Sequence, residues 1–188
     1  TDKLFIKKYE EETNLRCQIV IDVSASMYYP RFESPNIEKP NKLLFSVYAT
    51  AVLMNILKGQ RDAVGLSLFA EKIKIHTPTR STLKHHNLIY SELENVLQYN
   101  AIKNPKKTYS VEAIHQIAES IHKRSLVILF SDMLENSKHN EIEIFSALQH
   151  LKYNKHEVIL FHITEPETEL NLNFENKPIR FVDAETEE

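Results

Sequence analysis

Glycine is nearly absent from this chain. The 188 residues contain two, Gly59 and Gly65, where average usage of about 7% would give about thirteen. Phosphate-cradling loops such as GxGxxG or GxxxxGKS/T need glycines at spacings the chain cannot supply, because the backbone must approach the phosphate closely. The commonest nucleotide-binding readings of an α/β sequence are thereby excluded. Cysteine is scarcer still: Cys17 is alone, so it forms no intrachain disulfide, and its apolar neighbours predict a buried thiol in a reducing, cytoplasmic setting. An excess of basic charge is also missing. Lys plus Arg number 23 against 26 Asp plus Glu, a formal net charge of −3, which argues against a reader of nucleic-acid backbones. The longest uninterrupted apolar run falls far short of the ~18 residues of a membrane span, and no secretory leader is visible. No membrane-spanning segment is expected.

What is present has the composition of one globular domain, 42% hydrophobic and 26% charged. Its length suffices to bury a core without covalent staples. The chain begins on Thr1 rather than methionine, so we expect residues 1–188 to be a single domain cut from a longer protein. The acidic end, 183–188, should fray.

Four short, β-branched apolar runs occupy 17–23, 63–69, 125–131 and 157–163, as expected of strands buried on both faces. Helical patterns lie between them. The first, 42–58, follows Pro40 and a capping Asn41, is apolar almost all round, and ends at Gly59, which we read as a left-handed stop. Its lack of a polar face predicts extensive burial. Amphipathic patterns follow at 82–97 (burying Ile89, Leu93 and Val96) and 110–121 (Val111, Ile114, Ile117, Ala118, Ile121). A fourth, at 141–152, is capped by Asn140 and should bury Ile144, Phe145, Leu148 and Leu151. The segment 73–76 reads as an antiparallel edge partner of the preceding strand, and 178–182 as a further strand. With prolines at 30, 35 and 40, residues 28–41 should form an extended surface loop. The alternation predicts an α/β fold: a doubly wound, mostly parallel sheet with one antiparallel edge strand and helices on both faces.

In such sheets, ligands gather at the carboxyl ends of strands. The first strand exits into Asp22-Val23-Ser24-Ala25-Ser26, which aims three side-chain oxygens to one side if the backbone stays extended. One carboxylate with two hydroxyls is a hard donor set. It suits Mg²⁺ or Mn²⁺ rather than zinc. The strand at 125–131 delivers a second carboxylate, Asp132, to the same rim, and Thr108, in the loop before the preceding helix, offers another hydroxyl.

This order of Asp-x-Ser-x-Ser, Thr and Asp resembles the metal-ion-dependent adhesion site of von Willebrand factor type A domains. Met27, the lead-in at 4–12, the Ser131-Asp132 strand ending, Glu165-Pro166-Glu167 and the stretch 180–186 resemble the bacterial family called domain of unknown function 58. The resemblance implies a three-layer, Rossmann-like sandwich. It implies that Ser24 and Ser26 coordinate the metal directly, that Asp22 and Asp132 do so directly or through water, and that Thr108 completes or switches the set. It also implies a partner protein that supplies a carboxylate, and an associated AAA+ ATPase of the MoxR type. Where many type A domains have glycines before the threonine and after the second aspartate, this chain has Lys106-Lys107 and Met133.

A non-catalytic interaction module is therefore the leading expectation. The alternatives are a Mg²⁺-dependent phosphohydrolase built on Asp22 and a scaffold with a vestigial metal site. Aspartate-nucleophile phosphatases place a second carboxylic acid two positions on, where this chain has Ser24, so the leaving group lacks its proton donor. The nine histidines show no ligand spacing. We expect His85, His86, His115, His122, His139, His150 and His156 at the surface and His162 hydrogen-bonded within a buried strand. Tyr28, Tyr29 and Phe32 either face a partner or pin the proline-rich loop.

Overall fold

A computed structural model describes residues 14–98, 110–133, 141–174 and 176. Thr108, Asn140, His139 and the segments 4–12, 178–182 and 183–188 lie outside the described residues. Five strands form one sheet: β1 (Arg16–Asp22), β2 (Ala63–Phe69), β3 (Ile73–His76), β4 (Leu126–Ser131) and β5 (Glu157–His162). Their spatial order is β3-β2-β1-β4-β5. β1 is flanked in parallel by β2 and β4, and β5 continues the parallel set beside β4. β3 runs antiparallel at the edge, as the short connection from β2 requires.

Side-chain alternation on the strands builds two cores. Cys17, Ile19 and Ile21 of β1 join Val64, Leu66 and Leu68 of β2 and Ile128 and Phe130 of β4 on one face. There they meet Leu43, Val47, Met54 and Leu57 of α1 (Lys42–Gly59) and Ile89 and Leu93 of α2 (Leu83–Gln98). Val20, Val127 and Leu129 point the other way, against Val111, Ile114, Ile117 and Ala118 of α3 (Ser110–Ser120) and Ala147 and Leu151 of α4 (Glu141–Tyr153). Helices thus cover both faces of a mixed α/β sheet.

Several local expectations change. α1 is long and apolar enough, by length and composition, to cross a membrane, but only one of its faces is buried. Phe45, Tyr48, Val52 and Ile56 recur at helical spacing on the opposite side and are exposed, Val52 by 60%. The apolar-all-round pattern cannot distinguish a helix sandwiched on two sides from one packed on a single sheet face. Gly59 is the last residue of the helix and not its left-handed stop. Positive φ falls instead on Arg61, at 61°. In α4, Phe145 is exposed and Ala147 takes the buried position. β5 lies at the sheet edge, so Ile159, Leu160 and Phe161 are partly exposed, and His162 is exposed rather than buried.

The histidines separate further from expectation. His85 and His86 are both buried in α2, and His85 Nε2 lies 3.1 Å from the Val64 carbonyl. His156 is buried too, its Nδ1 accepting from the Ser125 N–H at 3.2 Å. His115 and His150 meet across the α3–α4 seam, with their Nδ1 atoms 2.9 Å apart. Adjacent histidines both become buried because α2 packs against both α1 and β2, a tertiary circumstance that sequence spacing does not report.

Candidate functional site

The chain leaves β1 and β4 in opposite directions, through α1 to β2 on one side and through α4 to β5 on the other. Their carboxyl ends therefore flank a crevice at the point where the winding reverses. Ile21 pairs with Phe130, so Asp22 and the Ser131–Asp132 ending emerge side by side. Asp22 is 1% exposed and Asp132 2%.

Asp22 is tied by short bonds. Its Oδ1 accepts the Ser24 N–H at 2.9 Å, and its Oδ2 accepts the Ser131 hydroxyl at 2.8 Å. The backbone remains extended through Ser24, with φ −66° and ψ 168°, and then coils into a 3₁₀ turn, Ala25–Tyr28. Ser26 reaches the rim through this turn and not by strand alternation. Its hydroxyl oxygen lies 3.0 Å from that of Ser24. Burial first, and then the neighbouring Asp132 carboxylate, push the Asp22 carboxyl up from an ordinary 3.8 to about 7, against hydrogen bonds from Ser24 and Ser131 that favour its ionised form.

Asp132 is held differently. Lys42 Nζ donates to its Oδ2 at 2.7 Å and to Glu169 Oε1 at 2.8 Å, with the Lys42 side chain 2% exposed. His162 Nε2 lies 3.0 Å from the Asp132 backbone carbonyl. After Asp132, Met133 adopts φ 52°, and its N–H donates to Ser131 Oγ at 2.9 Å. That is the left-handed conformation glycine favours, so the loop keeps a glycine-like path with methionine in place.

Glu169 sits on a helical turn, Pro166–Leu170, capped by the Glu165 side chain. Glu169 Oε2 accepts the Glu165 N–H at 2.7 Å. Tyr29 fastens this turn to the proline-rich loop, its hydroxyl 2.6 Å from Thr168 Oγ1. The Tyr29 ring also lies 5.8 Å from Lys42 Nζ, within cation–π range. Of the three loop aromatics, Tyr28 packs on the core and Tyr29 pins the turn, while Phe32 is exposed.

The structure thus brings together Asp22, Ser24, Ser26 and Asp132. Sequence reasoning missed Lys42 and Glu169 as members of the site, and it singled out Tyr29 and Ser131 without giving them their roles as the clasp on Thr168 and the donor to Asp22. One signal pointed to Lys42: it is the first residue of α1, where the helix dipole disfavours a cation. Such a lysine implies compensating carboxylates nearby.

The donor set can be tested against a hard divalent ion. Adjacent ligands of an octahedral Mg²⁺, with bonds of 2.0–2.1 Å, lie about 2.9 Å apart. The Ser24 and Ser26 oxygens meet that spacing. Asp22 is buried and, among the described residues, no lysine, arginine or histidine pairs with it. Among the described residues no three His, Cys, Asp or Glu side chains form a metal-binding group. The fit accordingly rests on hydroxyls and carboxylates together, the donors Mg²⁺ and Mn²⁺ accept.

Comparisons with known proteins place this geometry in context. A family model described as protein of unknown function DUF58 matches residues 1–188. No curated protein matches the sequence. Among solved structures, an aerotolerance-related membrane protein from Bacteroides fragilis NCTC 9343, carrying multiple mutations to serine, is similar with TM-score 0.58 and 17% identity. The match covers 78% of this chain and 66% of that one. The conserved hypothetical protein BatB from Bacteroides thetaiotaomicron is similar with TM-score 0.53 and 17% identity, covering 78% of this chain and 65% of that one. The chain spans just under two thirds of each of these structures. At such identities the shared property is the fold.

Proposed function

Since the chain belongs to the DUF58 family over residues 1–188, a family without an assigned function, we propose from the rim itself that it is a non-catalytic protein-interaction module of the von Willebrand factor type A kind. The observation that carries this reading is the Ser24–Ser26 hydroxyl pair, 3.0 Å apart beside a buried Asp22 that no described cation neutralises. Ser24 and Ser26 would hold Mg²⁺ or Mn²⁺ directly, with Asp22 and Asp132 binding directly or through water. Thr108, outside the described residues, is the remaining candidate ligand. When bound, the ion would supply a Lewis-acidic position that prefers a carboxylate from a partner protein. A remodelling ATPase of the MoxR type is a proposed associate, a suggestion inherited from the family resemblance.

The chain's own residues favour binding over hydrolysis. Both Asp22 oxygens accept hydrogen bonds from the protein, which blunts the carboxylate as a nucleophile, and Ser24 cannot serve as the second acid. Calorimetric titration of Mg²⁺ and Mn²⁺ into EDTA-stripped protein tests the proposal. Binding by the wild type and none by Asp22→Ala is expected. Equal heats from both proteins, or none from the wild type, overturn it, and metal-dependent phosphoester turnover lost in Asp22→Ala would replace it with the hydrolase reading.

A further inference from the structure

The rim divides into two halves by charge. In the first, Asp22 stands with the Ser24, Ser26 and Ser131 hydroxyls. In the second, Asp132 and Glu169 converge on the Lys42 ammonium at 2.7 and 2.8 Å. This second half is an expensive arrangement. A lysine with 2% of its side chain exposed has lost nearly all its hydration, and its place at the first turn of α1 sets it against the positive end of the helix dipole. Surface lysines cost neither penalty. Among the described residues, what offsets these penalties is the two carboxylates that face the ammonium, the Tyr29 ring 5.8 Å from it, and the anchoring of the Lys42 backbone N–H on the Tyr29 carbonyl at 3.0 Å.

We infer that Lys42 is a tethered cation of the rim, a positioning residue whose ammonium supplies Asp132 with positive charge that a metal would otherwise provide. This rests on the rim being the metal site proposed above. Among the described residues, with all groups ionised, Asp22, Asp132 and Glu169 carry three negative charges and Lys42 one positive, a surplus of two that a divalent ion would match. Two properties follow. The rim remains folded when metal is withdrawn, because the more heavily charged half is already neutralised in part. Its affinity for a divalent ion is also set below what the bare carboxylates would give. Even at the dielectric of water, a unit positive charge close to a divalent ion weakens its binding about tenfold. Because Glu169 belongs to the turn Pro166–Leu170, the same ammonium fastens that turn to the rim.

The test compares Lys42→Met and Lys42→Gln with the wild type. Each EDTA-stripped protein is titrated with Mg²⁺ by calorimetry, and its melting temperature is followed with and without Mg²⁺. The wild type should stay folded in EDTA. Lys42→Met should melt lower in EDTA, recover with Mg²⁺, and bind the ion at least about tenfold more tightly. Adding Asp132→Asn to Lys42→Met should abolish that gain. If the wild type binds Mg²⁺ and the Lys42 variants bind it no more tightly, the inference is overturned and the metal site stands. If neither binds, both fall. If only the Lys42 variants bind, the inference holds in its strongest form and the wild-type metal proposal falls. Should both variants prove insoluble, expression and refolding with Mg²⁺ decide: recovery of soluble protein by Mg²⁺ supports the inference, and insolubility with and without it overturns the inference.

Discussion

Replacing Asp22 by asparagine should stabilise the metal-free protein at alkaline pH. Burial and the Asp132 carboxylate raise the Asp22 carboxyl from 3.8 to about 7, so between those values the folded chain holds a proton that the unfolded chain has released. Stability therefore falls as pH rises through that window, with a limiting slope of one proton, about 1.4 kcal/mol per pH unit. Across the whole interval the loss amounts to about 4 kcal/mol, a large share of the 5–15 kcal/mol typical of a domain. Asparagine keeps the shape and an acceptor for the Ser24 N–H but carries no charge. Urea unfolding in EDTA, repeated from pH 4 to 8 for both proteins, isolates this group, because other titrations cancel in the difference. The two should be similarly stable near pH 4, and Asp22→Asn should be the more stable by up to about 4 kcal/mol at pH 8. Mg²⁺ at pH 8 should then rescue the wild type alone. A difference that stays flat with pH, or a wild type more stable than the variant at pH 8 in EDTA, would refute the assignment of an uncompensated buried carboxylate.

Three further outcomes are expected from the body of the fold. His86 is 1% exposed and neither of its ring nitrogens is hydrogen-bonded among the described residues, and Thr50 Oγ1 is likewise buried without a partner among them. His86→Leu and Thr50→Val should each raise stability by about 1 kcal/mol in urea unfolding. Burial, with Lys58 and His85 nearby, holds the His86 imidazole below its usual range, so the contribution of this group to stability is lost as pH falls below about 6.5, opposite in sign to that of Asp22, and the advantage of His86→Leu over the wild type should grow as pH falls. A Cβ at Gly65 would lie 2.3 Å from Gln18 Oε1 and 2.8 Å from the Thr77 carbonyl, whereas at Gly59 it meets nothing within 4 Å. Gly65→Ala should therefore lower the melting temperature, and Gly59→Ala raise stability by about 0.5–1 kcal/mol through helix propensity. Cys17 is fully buried, and burial followed by the nearby Asp62 pushes its thiol up to about 12. It should resist Ellman's reagent in the native state and react fully in denaturant.

The glycine shortage illustrates what the sequence could and could not disclose. Two glycines leave no room for a glycine-rich phosphate loop, and among the described residues the rim carries side-chain oxygens, Asp22, Ser24 and Ser26 from one strand end and Asp132 from the next. Those residues were legible because strand exits are local: an apolar run that stops at an oxygen-bearing side chain marks the rim whatever surrounds it. The strands and helices were legible for the same reason, through periodicity. Burial of entire helix faces was not, and Val52 and Phe145 are exposed because the number of layers packed on a helix is a global property. Lys42 lay at the edge of legibility. Its partners are 90 and 127 residues away along the chain, so no spacing rule can find them, yet a lysine opening a helix is locally unfavourable and invites the question of what neutralises it. Met133 carries the converse lesson. Its φ of 52° lies in the left-handed region that glycine favours, and nothing in the residue type announces it. The Ser131 hydroxyl receives the Met133 N–H and offsets part of the strain of a left-handed methionine. A Met133→Gly substitution should accordingly preserve the loop and relieve that strain.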